Sequence, residues 1–197
     1  MAVVPAYSRA NVMTGQARCF VQPYNAGSPP TLPANTVALG GSWSSPWTPV
    51  GATLNGLTFH FKRDVNDITI EEQRVPVAKL TKMTTFTFDL ELSEDTLPTM
   101  QLAYGGGTLT TVAAASGQPG YQNLVVNPEL QLYSFAFEAE NSFGMARRVL
   151  VPIVSIVSDA KTTFRRADQQ RTYNVSAESL VEVDQCTFRE INAVALP

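Results

Sequence analysis

Apolar and polar residues alternate with a period of two along much of this chain, and the alternation is cleanest between Trp47 and Gly107. In Leu57–Lys62, Leu57, Phe59 and Phe61 fall on one face and Thr58, His60 and Lys62 on the other. Ile68 and Ile70 resume the pattern after the polar break Arg63–Asp67. Met83–Leu92 is the strongest run, with Phe86, Phe88, Leu90 and Leu92 opposed by Thr85, Thr87, Asp89 and Glu91. Successive side chains of a strand point to opposite faces, so each run predicts a half-buried strand. Leu57–Lys62 and Ile68–Gln73 together predict an antiparallel hairpin turning at Arg63–Asn66, closed by Pro76 and followed by a loop over Val75–Lys82.

The same signals recur on either side. After an arm over residues 1–12, Thr14–Gln22 predicts a first strand with Ala17, Cys19 and Val21 on one side. Leu130–Glu140 puts Tyr133, Phe135, Phe137 and Ala139 together. Arg147–Val157 is apolar on both faces, which predicts a strand covered on both sides. Pro152 has no N–H to give a ladder, so it confines that strand to a sheet edge or a bulge. Thr162–Phe164, Thr172–Val183 and Thr187–Ile191 supply further strands, although Ser176–Leu180 also fits a helical turn. Thr108–Gly120 is small and polar, a loop or weak strand. One helix is predicted after Ser93, with Leu97, Gln101 and Tyr104 on one face. Asp95 as its N-cap puts Pro98 at the third helical position, where no intrahelical bond is lost, and Gly105-Gly106-Gly107 stops it.

Residues 23–56 break the pattern. Prolines from Pro23 to Pro49 and clusters of glycine and serine exclude any long regular element. Yet the segment holds Trp43 and Trp47, which a plain linker would not need. It reads as an extended arm packed on another surface, with a neighbouring copy as one candidate. The sum is a mainly β chain: a β-sandwich or partly open barrel with one flanking α-helix and a long Pro/Gly-rich arm. Residues 1–22 are the N-terminal arm and first strand, 23–56 the extended loop and 57–197 the remainder of one β-sandwich domain.

Composition narrows the function. Charged residues make up 16% of the 197, against a usual ~25%, so the surface is short of charge, as suits a protein that covers itself with partners. A net charge of −3 argues against a nucleic-acid binder. Cys19 and Cys186 form no close pair and read as two free thiols. No signal peptide is evident at the start, and Val149–Val157, the longest apolar run, is too short to span a bilayer. Assembly in the cytoplasm follows as the expectation.

Catalytic chemistry finds little to work with. A Ser-His-Asp relay would have to use His60, the one histidine, which sits mid-strand on a polar face. One histidine and two distant cysteines do not make a zinc site, and no Gly-Lys-Ser/Thr follows Gly105-Gly106-Gly107 to make a phosphate loop. Asp89 with Glu91, Glu71 with Glu72, and Glu138 with Glu140 are paired carboxylates of the kind that hydrolyse glycosides, but solvated strand faces explain them as well. They also suit an acidic wall past which DNA slides, since DNA carries about one negative charge per 1.7 Å of axis. No enzyme and no cofactor is expected.

One resemblance gathers these features. Trp47-x-x-Val50-Gly51-Ala52-Thr53-x-x-Gly56 leads into Leu57–Lys62 and Ile68–Glu72. Pro76-Val77, Phe86–Leu92, Glu94-Asp95-Thr96-Leu97, Leu102-Ala103 and the apolar Arg147–Pro152 strand then follow in order. Over roughly Trp47–Ile191 the chain resembles the major tail tube proteins of long, non-contractile-tailed bacteriophages, particularly those of actinobacterial hosts. The resemblance implies a β-sandwich with a flanking helix, shared with the tube proteins of type VI secretion. It also implies six-membered rings, a continuous inner β-barrel, and stacking into a tube through which genomic DNA is ejected. The implied partners are further copies of the chain, a tape measure protein, a tail terminator and passing DNA; the implied place is the virion tail. On this view Asp67, Glu71, Asp89, Glu91 and Glu138 are the candidates for the lumen wall. Trp43, Trp47, Phe59 and Phe61 are the candidates for assembly contacts, and the hairpin from Leu57 is what reaches a neighbour. The alternative is a carbohydrate- or receptor-binding β-sandwich using Tyr24, Trp43 and Trp47 as stacking platforms.

Overall fold

The computed structural model describes residues 17–69, 75–127, 129–141, 145–157, 171–181 and 184–192. The expected arm over 1–12, the strand Thr162–Phe164 and Glu71 lie outside the described residues.

Among the described residues, ten strands and one helix follow in chain order. They are β1 (Ala17–Pro23), β2 (Thr48–Pro49), β3 (Thr53–Ile68), β4 (Ala78–Leu92), α1 (Leu97–Ala103), β5 (Thr108–Val112), β6 (Tyr121–Val125), β7 (Leu132–Glu140), β8 (Met145–Ile156), β9 (Tyr173–Ser179) and β10 (Thr187–Asn192). Eight strands form one antiparallel sheet in the order β2-β1-β7-β8-β9-β4-β3, with β10 also on β8. β5 and β6 make a separate hairpin that α1 contacts.

The large sheet closes on itself to make its own core. In strand order β4 and β7 are separated by β9 and β8, yet Phe88 lies 5.0 Å from the Phe135 ring and 5.1 Å from Phe137. The alternating residues Phe86, Phe88, Leu90 and Leu92 face Tyr133, Phe135, Phe137, Val149 and Val151 across this core, as their spacing predicts. The chain is therefore mainly β, a β-sandwich built from one large antiparallel sheet with one α-helix.

β8 is where the sheet bends. β7 runs along one edge of β8, so β10 (against Met145–Leu150) and β9 (against Val154–Ile156) divide the other. The division falls at Pro152, and the register between β7 and β8 slips by one residue at the same place. Proline leaves no donor for a ladder, so a bulge there sacrifices nothing. The Ser134 hydroxyl donates to the Pro152 carbonyl at 2.7 Å. The bulge alternative for Pro152 holds, in a central strand.

Two expectations are corrected. Arg63–Asn66 is not a turn: β3 runs unbroken to Ile68, and β4 begins at Ala78 instead of Met83. Polar residues there made a break in the hydrophobic pattern without a break in the strand, because this half of the hairpin has no core to face. The N-cap of α1 is Thr96, whose hydroxyl oxygen accepts from the Thr99 N–H at 3.3 Å, so Pro98 falls at the second helical position. Asp95 accepts from the Tyr173 hydroxyl at 2.6 Å and from Arg171, tying the helix entry to β9. The strand expected over Thr172–Val183 is present as Tyr173–Ser179, and the helical-turn alternative at Ser176–Leu180 falls.

Candidate functional site

Three surfaces carry the residues singled out by sequence: the arm, the polar face of β3–β4–β9, and the outer half of the β3–β4 hairpin.

The arm between β1 and β3 lies across the outer face of β1, β7 and β8. Trp43 stacks on Phe20 at 4.0 Å and 7°, and meets Trp47 edge-on at 5.8 Å. With Leu32 and Ala136 these rings form a second core, and the Trp47 Nε1 donates to the Thr31 carbonyl at 3.0 Å. Trp43 and Trp47 are thus buried in their own chain. They are withdrawn both as contacts to a neighbour and as exposed sugar platforms.

A buried ion pair holds the arm down. Arg148 is 0% and Glu138 1% exposed. The Arg148 Nε donates to Glu138 Oε1 at 2.8 Å, its Nη1 to the Ala34 carbonyl at 3.0 Å and its Nη2 to the Val37 carbonyl at 2.9 Å. The Gly40 N–H donates to the other Glu138 oxygen at 3.0 Å. A planar guanidinium with one N–H on a carboxylate and its other donors on carbonyls is how arginine survives burial. Glu138 is therefore corrected: it faces the arm, not a lumen. Alternation within Leu130–Glu140 marked it as solvent-facing, and the arm that covers it has no periodicity to announce the contact.

The polar face is as expected and wider. Thr58 of β3, Asp89 of β4 and Ser176 of β9 lie abreast, as do His60, Thr87 and Glu178. His60 Nε2 is 3.2 Å from Asp89 Oδ2, and the Ser176 hydroxyl donates to Asp89 Oδ1. Here the carboxylate stands between hydroxyl and imidazole, whereas a nucleophilic relay needs the imidazole in the middle. Among the described residues no three His, Cys, Asp or Glu side chains converge to hold a metal ion. Asp89 and Glu91 share this face, and Glu178, which sequence reading passed over, joins them from β9. Asp67 does not: strand alternation puts it with Phe59 and Phe61 on the opposite face, paired to Lys79 at 3.0 Å.

The outer half of the hairpin is exposed almost throughout. β3 and β4 stay paired from Leu57↔Leu90 out to Ile68↔Ala78, but β9 accompanies β4 only from Thr87 to Leu92. Beyond that point the hairpin projects alone, with Phe61, Val65, Ile68, Val77, Leu80 and Met83 all exposed. Phe59, by contrast, sits among the rings of Phe86, Phe88 and Phe137 in the main core. Of the four expected assembly contacts, Phe61 is the exposed one, at 58%.

Both cysteines are free thiols. Burial in the main core holds the Cys19 thiol well above its ordinary range, and partial burial pushes Cys186 up to about 12. The thiolate is the reacting species, so both are expected to resist a thiol reagent at pH 8. Titration with a chromogenic disulfide should give no rapid reaction from the folded chain and two equivalents after unfolding. One rapid equivalent from the folded chain would contradict this burial.

No protein-family model matches the chain, and no curated protein matches it. Among the described residues no helix is long and apolar enough to cross a membrane.

Proposed function

We propose that the chain is a structural subunit that assembles with copies of itself into stacked six-membered rings, forming the tail tube of a long, non-contractile-tailed bacteriophage. The tube is the conduit for genome ejection in the virion tail, with tape measure and terminator proteins as its other partners. The observation that carries this reading is the β3–β4 hairpin. It ends the sheet with an outer edge on which, among the described residues, no strand is paired, and it exposes apolar side chains on a projecting half. Unpaired edges and exposed apolar patches are aggregation liabilities, and a specific neighbour is how proteins manage them. Ring closure would pair such edges around a symmetry axis.

The polar face of β3, β4 and β9 supplies the lumen wall on this reading, with Asp89, Glu91 and Glu178 in place of the wider set. Carboxylates repel the DNA backbone, and Lys62 on the same face is held by Asp64 at 3.1 Å. Electron microscopy of the purified chain, alone and with the other tail proteins, tests the assembly. Rings about a sixfold axis or tubes are the expected result; a strict monomer under all conditions would overturn it. Asp89→Lys with Glu91→Lys should leave tubes intact and slow genome ejection in phage carrying it. Ejection at the parental rate would remove this face from the lumen.

A further inference from the structure

The hairpin leaves the body at Thr84. β9 accompanies β4 only from Thr87 to Leu92, so among the described residues no strand lies beside that edge further out. A side chain stands where the next strand would be. The Gln185 Nε2 donates to the Thr84 carbonyl at 3.0 Å and to the Thr84 hydroxyl oxygen at 3.2 Å. Gln185 belongs to the connection from β9 to β10, and Ser179, the last residue of β9, donates its hydroxyl to the Gln185 carbonyl at 3.3 Å. Asp184 before it has a φ of 57°, in the left-handed region that aspartate tolerates better than most residues. The Gln185 amide has one workable orientation, since turning it over would set its oxygen against the Thr84 carbonyl. Its Oε1 is left buried and, among the described residues, without a donor.

Outward of Thr84 the hairpin is a two-stranded ribbon. Its hydrogen bonds and ion pairs there, among the described residues, are internal to it: Lys62 with Asp64, Lys79 with Asp67, and the Val77 N–H on the Ile68 carbonyl. Two strands without a third, or a covering helix, coil and bend readily. From Arg63↔Thr84 to Ile68↔Ala78 the ribbon extends five to six residues, roughly 18 Å at about 3.3 Å each. A swing of about 20° at the root, within the ordinary spread of twist between strands, moves the far end by roughly 6 Å. That exceeds the reach of an apolar side-chain contact, about 4 Å.

We propose that Gln185 pins the root of the hairpin: by holding the Thr84 carbonyl as a third strand would, it fixes the direction in which the projecting half leaves the body. Phe188 of β10, with its ring 6.0 Å from Phe59, supports the same root from the apolar side. Ring contacts slide, whereas a hydrogen bond to one carbonyl fixes a position. The unpaired Oε1 follows from the same role, because the amide is held to the strand by its nitrogen although its oxygen gains nothing. The pin presets the angle at which the exposed apolar residues of the hairpin meet a neighbouring copy. That consequence rests on the self-assembly reading above; the angle itself belongs to a single chain.

Pulsed electron–electron resonance reads that angle. Nitroxides are carried on ketone-bearing residues at Ala78 and Thr48, both exposed, which spares Cys19 and Cys186. The labelled chain is diluted in an excess of unlabelled chain, so distances within one chain are measured whether or not copies associate. Gln185→Glu keeps the shape of the side chain and, as a carboxylate, has no proton to donate. Its distance distribution is expected to be at least twofold wider than the parent's. Gln185→Ala should widen it as well, and serves if the glutamate chain does not fold. Gln185→Lys restores a donor on a long stem and should return the parental width, which a mere packing role would not give. Parental width in the glutamate and alanine chains, a parent as wide as both, or a lysine chain as wide as the glutamate chain would each overturn the pin. The concentration at which particles form, followed by sedimentation, is expected to rise about tenfold in Gln185→Glu. An unchanged concentration beside a widened distribution would overturn the link from pin to assembly. Absence of particles from the parent would overturn self-assembly itself, while the distances decide the pin.

Discussion

Arg148→Ala is expected to destabilise the folded chain by about 3–5 kcal/mol, the usual penalty for stripping one partner from a buried ion pair. Glu138 would keep the Gly40 N–H, with Arg18 at 3.9 Å as its nearest remaining cation, while the part-buried carbonyls of Ala34 and Val37 would lose their donors. The arm would lose its central tie as well as a side chain, since Arg148 also lies 5.6 Å from the Trp43 ring. For a chain of this size each kcal/mol moves the midpoint by about 2–4 °C, so thermal unfolding followed by circular dichroism should fall by roughly 6–20 °C. Arg148→Lys should fall in between, because a lysine keeps the charge and loses the fork. A shift under 2 °C for Arg148→Ala would mean that the stacked tryptophans hold the arm without the ion pair.

How much of this was legible beforehand depends on whether one strand or two surfaces decided the outcome. Phe86, Phe88, Leu90 and Leu92 were assigned to the core because burial on one face imposes period two, and nothing else competes there. Pro152 marked its own bulge for the same kind of reason: a missing N–H is a property of the residue. The hairpin's outer half carries no such signal because its residues face solvent on both sides, and alternation is imposed by burial on one face. Glu138 and the two tryptophans were misplaced for the opposite reason. Glu138 is covered by an arm without periodicity that lies 98 residues away in sequence at the Gly40 contact, and the tryptophans sit in that arm, packed on Phe20 of β1. A contact of that range leaves no local signal. Glu178 could have been found, since Val175 and Ala177 fix the phase of β9 and put it on the polar side.

Those same exposed residues make the second large effect. Ile68→Asp with Leu80→Asp should abolish ring and tube formation while leaving the monomer as stable as the parent, within about 0.5 kcal/mol. Both side chains are exposed, so the fold has little to lose. An assembly interface, by contrast, gains about 1.5–3 kcal/mol from each large apolar side chain it buries, and a carboxylate in its place must also be desolvated. Two such changes per subunit weaken each contact by about 3–6 kcal/mol before any charge penalty, a factor of roughly 10² to 10⁴. A tube multiplies that loss over every subunit of every ring, so the outcome is closer to all-or-none than a single contact would give. Sedimentation and electron microscopy should find monomers where the parent chain polymerises, with an unchanged unfolding midpoint as the control. Leu80→Ala, which removes area without adding charge, should raise the concentration needed for assembly without preventing it. Tubes of normal length and yield from the double aspartate chain would show that the projecting hairpin faces solvent in the assembly. The continuity of the tube would then rest on the open outer edge of β3.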